Sequence, residues 1–413
     1  IEGIIRYMKF NISIIIILLF QGSIGNIIPI MNYFDEFLII ILVIRILFMM
    51  MKRKNVKISK NHLVIIFFIC LYLIVGIVSN MNSKFLVEFK AYLSSGILSM
   101  KFVIIFILSS MAFKDMKVNF EYLKLFYRFL NIILNIYGVL LIINIPTNIF
   151  KSWGIRYGII TTVSAGFSHP AELDFLAISI MVIQTFLIEV LKKDKKKYIF
   201  IYFKVLIIII LTGRIKSIAF FVLFVTIVGI SNYRKKLTKK QLILPIFIIL
   251  YIAKERIISE LLEINSVRGT LLTTGIKIAK DYFPIGSGFG TFGSDTSRKI
   301  YSPIYFIYEI NKKYGLSRKW PAYITDSHWA SIIGETGVIG TSIYICILYL
   351  ISKQIFENGK KFINKISICS LWVYGLMSSI SDTILISYRG VALIVITNFI
   401  MAIVNNIEKL EEE

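Results

Sequence analysis

An imidazole with a pKa near 6.5 is the natural general base at neutral pH, and this chain of 413 residues carries three histidines. His328 stands in DSHWASIIGETG (residues 326–337), with Asp326 two positions before it and Glu335 further on. Asp326 would orient the ring only where the backbone bends back. His169 stands in GFSHPAELD, close to Glu172 and Asp174, whereas His62 opens an apolar run and reads as incidental. Two cations, Arg214 and Lys216, share the tight segment LTGRIKS and point at one small volume. Arg268 lies in EINSVRGTLLTTGIKIAKDYFP, where Ser266 is placed to cap a short helix. Its apolar positions (Leu271, Leu272, Ile276, Ile278, Ala279) suit an amphipathic helix on the membrane surface. A cation in a first helical turn opposes the helix dipole, and an anion bound there would explain it. The plain alternatives are interfacial anchoring for Arg214, His169 and His328, and a solvated loop position for Arg268.

Arginine forks bind phosphate bidentately and keep their charge, so two of them can neutralise a departing diphosphate without a divalent ion. A neutral histidine can take the proton of an attacking hydroxyl. Together they fit transfer of a sugar from a lipid diphosphate to a hydroxyl, giving a new glycosidic bond. His169, Glu172, Asp174, Asp326 and His328 are of metal-ligating type, but their spacing matches no metal pattern and HExxH is absent. Neither a metal nor any other cofactor is expected. The glycine run PIGSGFGTFG (284–293) lacks GK[ST] and follows no strand, so its expected use is sharp turning and close backbone approach.

The elements that must position these groups are apolar. Hydrophobic residues make up 57% of the chain and charged ones 17%, with a mean hydropathy of +0.77, which excludes an ordinary soluble domain. A bilayer core needs about 17–25 apolar residues per helix. On that measure about twelve spans are predicted, near 10–30, 34–51, 62–79, 96–113, 124–144, 171–191, 199–212, 216–231, 241–253, 328–351, 366–382 and 388–405. Lys101 and Lys204 fall inside spans near their ends, where snorkelling would keep them wet. Cys70, Cys346 and Cys369 read as small core residues without a disulfide frame. Met8-Lys9 is a candidate start, and QGSIGN (21–26), without a small-residue cleavage site, favours a retained first helix over a removed signal peptide.

The net charge of +23 comes largely from clusters at 52–60, 114–124, 192–197, 234–240 and 353–365, which fall after every second span. That is the positive-inside pattern. It assigns the charge to topology and anionic lipid contact rather than to nucleic acid, and it puts both termini in the cytoplasm. Three parts follow: a first transmembrane block at 1–253, a large extracytoplasmic loop at 254–327, and a C-terminal transmembrane block with a tail at 328–413. A loop of about 74 residues far exceeds ordinary connections and implies a function.

An arginine early in a large late loop, a Pro-x-Gly-x-Gly-x-Gly-like run, and a histidine followed by Glu-x-Gly entering the next span form one pattern. Here these are Arg268, PIGSGFG (284–290) and HWASIIGETGVIG (328–340). The pattern resembles the O-antigen polymerase and O-antigen ligase superfamily. TGRIKSIAFFVLF is similar to that family's arginine-bearing helix start, and GFSHPAELDFLAI to the polar beginning of one of its earlier spans. The resemblance extends over most of the chain in architecture and about a dozen residues in motif.

It implies an all-α, polytopic, GT-C-like protein in a bacterial cytoplasmic (inner) membrane. The implied activity is metal-independent, inverting glycosyl transfer from an undecaprenyl-diphosphate-linked oligosaccharide. Arg214 and Arg268 would bind the diphosphate and His328 would act as base. Lys216, His169, Glu335 and Asp326 are candidates for substrate binding, with Glu335 holding either the loop or the base. Donor and acceptor would both be lipid-linked repeat units, with membrane lipids and a chain-length regulator as further partners and no nucleic acid. A polymerase for O-antigen or capsule is preferred. The loop's roughly eleven basic residues are balanced by about seven acidic ones, unlike a surface for a phosphorylated lipid A-core. The alternatives are a ligase acting on such a core and, from another class, a lipid-linked oligosaccharide transporter.

Overall fold

In lipid every backbone polar group must find its partner inside the segment, and the apolar runs do so as helices. The computed structural model describes residues 2–52, 58–85, 87–114, 116–156, 158, 160–233, 266–359 and 361–411. The helices run α1 (Glu2–Ile27), α2 (Phe34–Met51), α3 (Lys60–Asn82), α4 (Phe89–Ser99), α5 (Lys101–Phe113), α6 (Phe120–Thr147), α7 (Pro170–Val190), α8 (Lys197–Thr212) and α9 (Ile215–Tyr233). The long loop contributes α10 (Val267–Asp281), α11 (Asp295–Ile300) and α12 (Ile304–Ile307). Then come α13 (His328–Phe356), α14 (Phe362–Ser379) and α15 (Tyr388–Leu410).

Six helices among the described residues are long and apolar enough to cross a membrane: α1 from Met8, α3, α6, α7, α13 and α15. The pair α4–α5, bent by 53°, makes a seventh if it is one span. This is a mostly helical membrane protein. The other expected spans that are described are helices too, but α2 carries Asp35, Glu36 and Arg45, and α8 has only 16 residues. The expected span at 241–253, the cluster at 234–240, residues 53–57 and the loop segment 254–265 lie outside the described residues. α7 and α15 form the buried centre: 89% and 83% of their most apolar windows are covered, against 28–44% in the other long helices. Helices apolar all round take such places.

Three expectations are corrected, for the all-α fold, Lys101 and the cysteines. The chain is not all-α: the connection 148–169 holds an antiparallel hairpin, β1 (Ser152–Arg156) and β2 (Ile160–Val163). Lys101 does not snorkel. The bend at Met100 turns it inward, where it is 5% exposed and pairs with Asp35 and, at 2.7 Å, with Glu36. Gln21 Nε2 also donates to Asp35, at 2.7 Å. An ammonium in that position needs such partners. Lys204 is likewise bonded, donating to Asn131 Oδ1 at 3.1 Å. Cys70 and Cys346 are exposed on the outside of the bundle rather than packed in its core.

The described part of the loop is folded. Leu271, Ile278, Phe292, Tyr305, Leu316 and Ile324 form a second apolar cluster. The apolar face of α10 is covered by this cluster and by α13, not left for a membrane surface. Gly275 permits that approach: a Cβ there would stand 2.7 Å from the Ala330 carbonyl oxygen.

The glycine run enters a break in α13. At Gly337 (φ 60°, ψ −160°) the helix is interrupted, which frees backbone groups on both sides of the break. Ser287 and Gly288 N–H donate to the Gly334 and Glu335 carbonyls (3.0 and 2.8 Å), and Ile339 N–H donates to the Pro284 carbonyl (3.2 Å). Loop backbone thus replaces lost helix bonds, as buried polar groups require. Asn80 on α3 clamps Phe289 from both sides, accepting its N–H at 2.7 Å and donating to its carbonyl at 2.9 Å. Close approach is what the run is used for.

Candidate functional site

Arg214 occupies the two-residue connection between α8 and α9. Gly213 ends α8 in the left-handed region (φ 63°), so the chain reverses at once and leaves the guanidinium at the end of the bundle that carries the hairpin. Its Nη2 lies 2.8 Å from His169 Nε2 and 3.2 Å from Nδ1. His169 caps α7, its Nδ1 accepting the Ala171 N–H at 3.2 Å, and its ring meets Trp153 edge-on at 5.0 Å. A guanidinium only donates, so the ring beside it is neutral. Burial, then the charge of Arg214, lowers the His169 pKa to about 3. Arg156 on the hairpin donates to the Gly213 carbonyl at 3.0 Å. Burial, then Arg156, brings Arg214 itself down to about 10, and Arg268 adds to this. Arg214 Nε is buried without a hydrogen-bond partner among the described residues.

His169 makes stability depend on pH. Its folded pKa lies below the ordinary value of about 6.5, so the unfolded chain takes up a proton that the folded one refuses. The stabilisation is complete above about pH 6.5 and is lost as pH falls towards 3. In His169→Gln, acid unfolding profiles should be flatter over that window; an unchanged slope would contradict a neutral, Arg214-facing His169.

Lys216 binds Asp382 at 2.9 Å, and Arg389 binds the same carboxylate with both oxygens at 2.9 and 3.0 Å. Burial alone would raise the Asp382 pKa, but Arg389 and Lys216 outweigh it and hold the carboxyl well below the usual range. Asp174 lies beneath, bonded to Ser217 and to Tyr374 Oη at 3.3 Å. Lys216 is therefore committed to an ion pair.

Arg268 is in the first turn of α10, where Ser266 Oγ caps by accepting the Gly269 N–H at 2.9 Å. It lies 3.9 Å from Asp326, and both line a pocket of about 180 Å³ with Ser266, Val267 and Tyr323. Asp326 thus faces Arg268 rather than orienting His328. His328 is 0% exposed, its Nε2 2.9 Å from Tyr344 Oη and its Nδ1 without a partner among the described residues. The Asp382 charge acts on it. Glu335 is turned to the glycine run, accepting Phe292 N–H at 3.1 Å and Ser294 Oγ–H at 2.7 Å. These bonds tie it to the loop.

The structure therefore brings Arg214 and His169 into contact, pairs Lys216 with Asp382 within electrostatic reach of them, and sets Arg268 and the buried His328 within electrostatic reach of this group. Arg156, Asp382 and Arg389 belong to the same cluster and were missed. Asp382 and Arg389 border the short turn between α14 and α15, and charges at or within a membrane are functional candidates. No three His, Cys, Asp or Glu side chains gather as metal ligands among the described residues. No protein-family model matches the chain, and no curated protein matches it.

Proposed function

We propose that this protein polymerises lipid-diphosphate-linked oligosaccharide repeat units at the outer face of a bacterial cytoplasmic membrane, as a GT-C-like protein of about twelve spans with both termini inside. One observation carries this reading. Arg214 is half-buried against His169 and lies within electrostatic reach of Arg156 and Arg268, whose like charges act on it while Asp174 and Asp382 only partly offset them. A diphosphate would relieve that repulsion and accept bidentate bonds. An acceptor hydroxyl attacks the anomeric carbon of the donor from the face opposite the diphosphate. The carbon–oxygen bond to the diphosphate breaks, its electron pair leaves with the lipid diphosphate, and the anomeric configuration inverts. The hydroxyl proton passes to His328 Nδ1, whose lone pair is available when Nε2–H donates to Tyr344.

The resemblance of the Arg268, PIGSGFG and HWASIIGETGVIG segments to O-antigen polymerases and ligases supports the same reaction. Cells lacking the protein should accumulate single lipid-linked repeat units on the outer leaflet. Long glycan retained on the lipid carrier would indicate a ligase instead, and repeat units trapped on the inner leaflet a transporter.

A further inference from the structure

The outer loop ends in a turn that presents aromatic rings next to the Arg268 pocket. Gly315 (φ 74°) opens this turn, its carbonyl accepts the Tyr323 N–H at 2.9 Å, and a Cβ on it would stand 2.1 Å from the Tyr323 ring. Trp320 N–H donates to the Ser317 carbonyl at 3.1 Å. These constraints hold three rings together, with centroids 4.5 Å apart for Tyr314–Trp320, 5.8 Å for Trp320–Tyr323 and 6.1 Å for Tyr314–Tyr323. Tyr314 is nevertheless 69% exposed and Trp320 45%. Tyr323 is shared with the pocket that contains Arg268 and Asp326. Rigid aromatic rings left in the open beside convergent polar groups mark a binding surface.

We propose that Tyr314, Trp320 and Tyr323 form a ledge that binds a saccharide chain, the acceptor glycan of the reaction above; this rests on that reading of the site. A pyranose has an apolar C–H face and a rim of hydroxyls. The C–H face stacks on the electron-rich face of an aromatic ring. The rim is matched by groups that donate and accept, here the Arg268 guanidinium and the Asp326 carboxylate. A membrane-interface belt also uses Tyr and Trp, but this cluster shares a ring with a polar pocket. The charged residues Arg318 and Lys319, just before Trp320, are exposed, so the ledge has an aqueous rim.

The test uses the full chain in nanodiscs and oligosaccharides released by mild acid from the lipid-linked repeat units of the producing cells. Trp320→Ala should weaken their binding about tenfold and raise KM for the acceptor by a similar factor, with kcat within about twofold. Trp320→Phe should restore most of both. Unchanged binding and KM in Trp320→Ala overturn the ledge. So does quenching of Trp320 emission by brominated phosphatidylglycerol, taken as the difference between wild type and Trp320→Phe, which makes the turn a membrane anchor. If the chain elongates no glycan but Trp320→Ala still loses oligosaccharide binding, the ledge stands and the proposed reaction falls.

Discussion

His328→Ala should abolish polymer growth while the protein stays folded in the membrane and lipid-linked repeat units accumulate. Removal of a positioned general base costs about 10²–10⁴ in rate, enough to leave only single units or short oligomers in cells. The expectation rests on geometry. The ring is wholly buried, one nitrogen faces Tyr344, and the other has no partner among the described residues. A buried polar atom left without a bond costs stability unless it serves a purpose. Tyr344→Phe keeps the ring and removes only the bond that fixes its tautomer, so a smaller loss, about tenfold, is expected. Its signature is a displaced pH profile rather than abolition. Normal chain lengths in His328→Ala would remove His328 from the mechanism.

Gly337→Ala should destabilise the long loop and its anchorage in α13. At φ 60°, ψ −160° only glycine is comfortable. A methyl group there would also stand 2.4 Å from the Gly286 nitrogen and 2.6 Å from the Pro284 carbonyl oxygen. Backbone strain and overpacking each cost about 1–3 kcal/mol. Together they would drive the glycine run out of the break and strand the Gly334 and Glu335 carbonyls without donors. Gly138 is a fair control, because a Cβ there meets nothing within 4 Å, and Gly138→Ala within α6 should be neutral or slightly stabilising. Thermal unfolding in detergent separates the two. Equal midpoints for both variants would show that the loop is not anchored in the break.

Much of the helical frame was legible because lipid admits so few backbone solutions. The turn at Arg214 and the cap at Ser266 were legible for local reasons: a glycine after an apolar run, and a serine just before the first turn. What escaped depends on distant residues. Lys101 looked like a snorkelling lysine because its partners Asp35 and Glu36 lie 66 and 65 positions away on another helix. The glycine run announced close approach but not what it approaches. The break at Gly337 has no local signal, since glycine is common within membrane helices. Asp326 stood close to His328 in sequence, yet the start of α13 carries the histidine inward and leaves the carboxylate facing Arg268. Arg156 was hidden because the hairpin that delivers it is short, with strands of five and four residues.

The most direct test is elongation by the purified chain in liposomes, with polyprenyl-diphosphate-linked repeat units as the only substrate. Chain growth should release one polyprenyl diphosphate per bond formed, persist in EDTA, and fail in Arg214→Ala and Arg268→Ala. Release of diphosphate without chain growth, or growth undiminished in both arginine variants, would contradict a glycosyl transfer centred on this cation cluster.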